Sequence, residues 1–442
     1  MYLIWFVTFA LMLGITILLI ALGIPVAFAF LGADVIGVML FMGGEAGLAQ
    51  LVRNAANALT RFALVPVPLF LIMGELFFHS GLGFRAFNAL DKLFGRLPGR
   101  LSFVTVGGGT MFAALSGSSM ASTALLGTLM VPEMSKRGYK NRLSIGPILG
   151  VGGLAILIPP SALAVLLGSL AYIDIGMLLI AGIVPGLVLA TLYGLYIVIS
   201  IRLDPGSAPV YDVVETPLKE KLMLVARDVL PMGFIVFLVV GMIILGWATP
   251  TESAACGVAG VIILAACYRC LAMDVILKSL LGATRVTVMM FMIILGASTF
   301  SKVLAFSGAT TGLVEWVGTL SLAPLAALLI MFVIMLMLGA FMEQLSMMML
   351  TLPIFIPLAH YYGFDLIWFG VIVLLAIEMS LSMPPMGLLL FVMKGVAPPG
   401  TRMQDIWLAA IPFIACSAIL LVLLIFYPEI ALWLPELSKS PG

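Results

Sequence analysis

Long apolar runs separated by short polar links follow one another from end to end of this 442-residue chain. Continuous runs cover about 3–22, 25–42, 62–79, 177–200, 229–247, 250–268, 286–306 and 406–427, near the ~20 residues a helix needs to cross a bilayer. Two more, about 144–173 and 366–395, are interrupted by Pro159–Pro160 and Pro384–Pro385. Proline removes an amide donor and clashes with the preceding turn, so each pair breaks its helix. Broken backbone inside a bilayer is tolerated only where protein buries it or where it lines a cavity. Both breaks are therefore candidate sites.

Two further apolar stretches are too short to span. The first runs 101–115 and 120–133 around a Ser116–Ser119 link. At 1.5 Å per residue each arm reaches ~20 Å, against ~30 Å of hydrocarbon. Arg85, Lys92, Arg96 and Arg100 precede it, and Lys136, Arg137, Lys140 and Arg142 follow it. Positive charge marks the cytoplasmic face, so the segment must enter and return as a re-entrant hairpin, about 101–133. A second hairpin, about 323–358, has its tip at Met342, Glu343 and Gln344.

The breakers recur at an offset of 225: Pro25 and Pro250, Gly32 and Gly257, Pro132 and Pro357, Gly138 and Gly363, Pro159 and Pro384, Pro160 and Pro385. Each half holds five crossings and a hairpin, and an odd number of crossings inverts the second copy. The expectation is an all-α polytopic membrane protein of two inverted-topology repeats, each with a re-entrant hairpin and a Pro-Pro-broken helix. Repeat 1 covers 1–200, 201–228 is a cytoplasmic linker, repeat 2 covers 226–428, and 429–442 is a periplasmic tail. Charge agrees: 201–228 and 269–285 carry Arg202, Lys219, Lys221, Arg227, Arg269, Lys278 and Arg285, whereas 359–365 carries no Lys or Arg. Both termini then face outward, in the inverted-repeat plan of secondary transporters.

Composition closes other routes. The chain is 63% hydrophobic and 9% charged, with a mean hydropathy of +1.27, whereas a soluble domain is roughly 45–50% apolar and about 25% charged. A net charge of +1 gives no electrostatic case for nucleic acid. Cys256, Cys267, Cys270 and Cys416 lie in or beside apolar stretches, which argues against a disulfide framework. The first residues lack a positive n-region and read as a retained helix.

Converging tips and breaks would gather four sets of unpaired backbone groups. Near them lie Ser116, Ser118, Ser119, Ser122, Thr123 and Ser161 in the first half, and Glu343, Gln344, Ser346, Ser380 and Ser382 in the second. Hydroxyls and carbonyls are hard oxygen donors suited to Na⁺, and helix N-termini suit a carboxylate. Glu378 precedes the second break. Asp34, Glu75 and Glu252 are expected near interfaces or as helix caps, and Lys302 is expected to snorkel outward. The chain is not expected to be an enzyme. Residues 117–121 (GSSMA) look superficially like a hydrolase motif, but His79 and His360 fall on opposite faces, and neither a metalloprotease helix nor a phosphate-binding P-loop occurs.

Residues Leu115–Gly127 (LSGSSMASTALLG), with Val131–Met134, Gly138 and Tyr139, resemble the large membrane subunit of tripartite ATP-independent periplasmic (TRAP) transporters, within the ion-transporter superfamily. So do Ile158–Ser161, Thr249–Ser253, Gly339–Gln344 and Pro353–Pro357, in order along essentially the whole chain. Met383 stands where the family usually has Thr, and Glu343 where Asp is common; a carbonyl ligand survives the first change, a hydroxyl ligand would not. The resemblance implies a Na⁺-driven, elevator-type importer of organic acids in the bacterial inner membrane, such as C4-dicarboxylates or sialic acids. Its partners would be a small four-helix membrane subunit and a periplasmic substrate-binding protein. Hairpins and broken helices would move, and the other helices, with amphipathic stretches near 45–61 and 271–285, would form the scaffold. One Na⁺ site would use Ser116, Ser119, Ala155, Ile158 and Pro159, and a second Gly339, Met342, Glu343, Ser382 and Met383. Ser118, Ser161, Gln344 and Ser346 would meet substrate. The alternative is a self-sufficient Na⁺–carboxylate symporter of the same superfamily.

The charge pattern predicts sidedness. Single cysteines placed in 135–142 and 360–365, treated with a membrane-impermeant thiol reagent on intact cells, should label only in the second loop; equal labelling of both refutes the inversion.

Overall fold

A computed structural model describes residues 2–93, 97–209 and 217–439; Arg96 of the expected positive cluster, part of the 201–228 linker and residues 440–442 lie outside the described residues. All regular structure among them is helical. The first half runs α1 (Tyr2–Ala21), α2 (Val26–Phe41), α3 (Glu45–Leu59), α4 (Pro66–His79), α5 (Leu82–Leu93), α6 (Arg100–Ser116), α7 (Ser119–Lys136), α8 (Asn141–Ser144), α9 (Gly146–Leu157), α10 (Ala162–Ala171), α11 (Ile175–Ala181) and α12 (Ile183–Leu203). The second runs α13 (Leu218–Leu224) with a π turn over Val225–Val229, α14 (Leu230–Ile244), α15 (Pro250–Cys267), α16 (Met273–Phe306), α17 (Ala309–Thr319), α18 (Pro324–Gly339), α19 (Gln344–Tyr361), α20 (Leu366–Ser382), α21 (Leu388–Val396), α22 (Met403–Phe426) and α23 (Glu429–Lys439).

The 225-residue register pairs these helices almost residue for residue: α1 with α14, α2 with α15, α5 with α17, α6 and α7 with α18 and α19, α9 and α10 with α20 and α21, α12 with α22. One pair departs. The stretch 271–285 and the run 286–306, expected as separate elements, form the single 34-residue α16, whereas α3 and α4 are divided at Thr60–Val65. The reason is proline placement. Pro66 and Pro68 open α4, but their register partners are Phe291 and Ile293, which leave every amide in place.

Packing between the halves is reciprocal, as a two-fold axis requires. α2 packs on α16 and α4 on α15; α1 on α17 and α5 on the π turn before α14; α7 on α21 and α10 on α19. Counterparts also run in opposite directions. α9 parallels α22, with Gly146 against Ala409 and Phe413 and Gly150 against Phe413 and Tyr193. α20 opposes α22: Trp368 Nε1 donates to the Leu424 carbonyl (2.8 Å), while Glu378, ten residues on, shares the Tyr193 hydroxyl with Ser417. The repeats are inverted.

Some expectations need correction. Among the described residues seven helices, α19 of the second hairpin included, are by length and composition enough to cross a membrane, or eight counting α9 and α10 as one span bent by 42°, and shorter apolar helices such as α2 and α20 accompany them. The 16-residue α2 rises only about 24 Å, because Pro25 sets its start and the glycines 43 and 44 follow its end. Asp34 caps no helix: it sits inside α2 with its side chain fully buried, and among the described residues neither carboxylate oxygen has a hydrogen-bond partner. The expected tail forms α23, which packs on α11, α12, α20 and α22. Glu252 does cap a helix, closing a capping box with Thr249, and Glu75 pairs with His79 at 3.2 Å.

A methyl group at Gly74 of α4 would sit 2.1 Å from the Ser116 carbonyl oxygen, a backbone atom that cannot swing away. Gly74→Ala should therefore destabilise the purified protein by about 1–3 kcal/mol, read as a lowered thermal midpoint. Gly107→Ala, where nothing lies within 4 Å, should be neutral or stabilising.

Candidate functional site

At the first tip, α6 ends on Ser116, and Gly117 turns the chain with φ 60°, a left-handed conformation glycine adopts without a Cβ clash. Ser118 then opens α7, its Oγ accepting from the Ala121 amide (3.3 Å). Ser116 Oγ meets Ser122 Oγ at 2.8 Å. The first break has the same grammar. α9 stops at Leu157, Ile158 is extended, the Pro159–Pro160 bond is cis, and Ser161 Oγ caps α10 by accepting from the Ala164 amide (3.3 Å).

Tip and break meet. The position of a Cβ on Gly117 is 4.0 Å from the Pro160 carbonyl oxygen. A Cβ on Gly152, one turn before the break, would lie 2.2 Å from Thr123 Oγ1, 3.3 Å from Leu389 and 3.4 Å from the Ser119 carbonyl oxygen. Since Leu389 lies in the first turn of α21, a single point on α9 touches the first hairpin and the segment beyond the second break. Ser116, Ser119, Ala155 and Pro159 are all buried, and Ile158 and Ser118 half-buried.

The second half assembles likewise around Gly339, where a Cβ would lie 2.2 Å from Ser380 Cβ and 3.1 Å from Met347 Sδ. α20 stops at Ser382, Met383 is extended, and Pro384–Pro385 is cis. Met342, Glu343, Gln344 and Met383 are half-buried, Ser346 and Ser382 buried. Here the caps differ. Glu343 precedes α19 and Gly387 precedes α21, and neither supplies a side-chain cap. Two helix N-termini thus keep their amides free of side-chain partners, in contrast with the serine-capped α7 and α10. Among the described residues, Thr123 Oγ1, Gln344 Oε1, Ser346 Oγ and Ser382 Oγ are buried without a hydrogen-bond partner, which is costly unless a ligand satisfies them. Ser382 therefore offers a hydroxyl at the second break, where Met383 has none.

The halves join through a glutamate. A Cβ on Gly153 would sit 2.4 Å from Glu378 Oε1, and residue 378 is the register partner of residue 153. Glu378 accepts from the Tyr193 hydroxyl at 3.2 Å, and Tyr193 also meets Ser417 at 3.2 Å. Tyr193, Ser417 and the two glycines escaped sequence reasoning. Their only trace was the register itself, which puts Ala418, next to Ser417, opposite Tyr193. Lys302 does not simply reach outward, because its Nζ donates to Asn54 Oδ1 at 2.5 Å.

The family described as tripartite ATP-independent periplasmic transporter, DctM component, matches residues 13–430. The chain is 32% identical over 380 residues to a C4-dicarboxylate TRAP transporter large permease protein of Pseudomonas aeruginosa, covering 85% of this chain and 86% of that one. It is 27% identical to an ectoine TRAP transporter large permease protein of Halomonas elongata, covering 95% and 97%. The YdaH transporter of Alcanivorax borkumensis superposes with a TM-score of 0.63 at 14% identity, over 87% of this chain and 90% of that one, a likeness of fold. With that match running nearly end to end over the two hairpins and two breaks, the chain belongs to the tripartite ATP-independent periplasmic (TRAP) transporter family, as a large permease, DctM component.

Proposed function

We propose that this subunit imports a small organic acid across the bacterial inner membrane, driven by Na⁺ and moving by an elevator mechanism. The observation that carries the reading is the group of buried, unpartnered oxygens (Thr123, Gln344, Ser346 and Ser382) around two hairpin tips and two breaks. Hard oxygens at broken helices suit Na⁺, and free helix N-termini suit a carboxylate. Ser116, Ser119 and the carbonyls of Ala155, Ile158 and Pro159 form the first Na⁺ site. Gly339, Met342, Glu343, Ser382 and Met383 form the second. Ser118, Ser161, Gln344 and Ser346 hold the substrate, with the uncapped starts of α19 and α21 facing its carboxylate.

The moving unit is the pair of hairpins with α9, α10, α20 and α21; the remaining helices are the scaffold. A small four-helix membrane subunit braces that scaffold, and a periplasmic binding protein delivers the substrate. The substrates for which those relatives are named, a C4-dicarboxylate and ectoine, both carry a carboxylate and support that class. Positive charge in 135–142 supports a cytoplasmic position for that loop and, with it, periplasmic termini.

In proteoliposomes with both partners, uptake should require an inward Na⁺ gradient and ignore ATP. Ser119→Ala should raise the Na⁺ concentration for half-maximal uptake about tenfold, the value of one lost ligand; an unchanged Na⁺ dependence removes Ser119 from the site. Uptake without Na⁺ or without the binding protein overturns the reading.

Glu343 offers an independent measurement. A carboxylate near mid-membrane is costly unless a cation accompanies it, and no Lys or Arg occurs in 323–358. Glu343→Gln keeps the shape and removes the charge. It should abolish most Na⁺-dependent thermal stabilisation while leaving the midpoint without Na⁺ near wild type. Wild-type stabilisation and uptake together would make Glu343 a solvated loop residue.

A further inference from the structure

Away from the hairpin tips, a cavity of about 250 Å³ opens between α3, α10, α16 and α19. Arg61, Lys302 and Asn54 line it, and no Asp or Glu does. Arg61 follows the end of α3, donates to the Tyr172 hydroxyl (2.5 Å) and the Ser169 carbonyl (3.4 Å) and lies over the Tyr172 ring at 4.9 Å, so among the described residues its guanidinium is held without a carboxylate. Among the described residues the partner of Lys302 is the neutral Asn54. Asn54 is 1% exposed. Its Oδ1 accepts from both Lys302 Nζ and Gln50 Nε2, and since an ammonium can only donate, the amide orientation is fixed. Its Nδ2 is thereby left as a buried donor without a partner. Opposite these donors α19 presents Met349, Leu352 and Ile356.

We propose that this cavity binds the carboxylate of a small organic acid, with Arg61 and Lys302 as its donors and Asn54 holding Lys302 Nζ in place, as a staging site distinct from the hairpin tips. Two cations line one small volume, and their charge calls for an anion. The apolar wall favours an acid with a carbon skeleton over a fully hydrated ion such as phosphate. Half of the lining comes from α3 and α16 and half from α10 and α19, so a bound acid touches both the scaffold and the moving unit. That the acid is the cargo rests on the transport reading above; that the cavity binds carboxylates does not.

The test uses the purified full-length chain in phosphatidylcholine nanodiscs without Na⁺, titrated with acetate, succinate and inorganic phosphate. Succinate or acetate should bind and phosphate should not. Lys302→Gln and Arg61→Gln should each weaken binding roughly ten- to hundredfold, the scale of a charge-assisted hydrogen bond, and Lys302→Arg should retain it. Asn54→Asp guards against misfolding: the new carboxylate pairs with Lys302 and occupies the anion's place, so binding should vanish while thermal stability is kept. In proteoliposomes Lys302→Gln should raise KM with kcat unchanged. No carboxylate binding by the wild type, or equal binding by all variants, overturns the proposal. So does succinate binding that is lost when phosphatidylglycerol is added to the nanodiscs, which would mark a lipid-headgroup site. Intact Na⁺-driven uptake with an unchanged KM in Lys302→Gln would remove the staging role and leave the transport reading standing.

Discussion

The centre of this protein depends on how closely α9 can approach three other elements. Gly152 and Gly153 lack the atoms that would collide with Thr123, Leu389 and Glu378. That absence lets a hairpin, a helix beyond the opposite break and a buried carboxylate crowd onto one helical turn. Small residues permit close backbone approach in membrane helices, where lipid offers no hydrophobic drive toward association. Broken backbone is tolerable in a bilayer only when protein surrounds it, so the glycine pair is what makes the adjacent Pro159–Pro160 break admissible.

Much of this was legible in the sequence, and the reason is that breakers act locally. Pro159, Pro160, Pro384 and Pro385 end their helices wherever tertiary structure places them, and the 225-residue register survives because it is written in such residues. Ser118 and Ser161 likewise cap helices within three residues of themselves. What remained hidden is relational. Nothing near Tyr193 announces Glu378, and nothing near Asp34 announces that its side chain is sealed from solvent. The continuity of α16 was written in the sequence, as missing prolines, but an absent breaker is harder to weigh than a present one when hydropathy changes along the run.

The two repeats share a plan and not a finish. Pro159 and Pro160 are buried, whereas Pro384 is half-buried and Pro385 and Met386 are exposed. Serines cap the helices at the first tip and break, and no side chain caps their counterparts. A two-fold relation thus produces one site half already satisfied by its own chain and one half held open. Proteins with exact internal symmetry would lack that polarity.

The undivided α16 has a mechanical meaning. Thirty-four residues at 1.5 Å make a rod of about 51 Å, well beyond the ~30 Å hydrocarbon thickness. Its register partners, α3 and α4, are interrupted at Thr60–Val65. One repeat therefore carries a continuous strut where the other carries a joint. A single hydrogen-bonded ladder ties Met273 to Phe306, whereas the matching run from Glu45 to His79 is cut once.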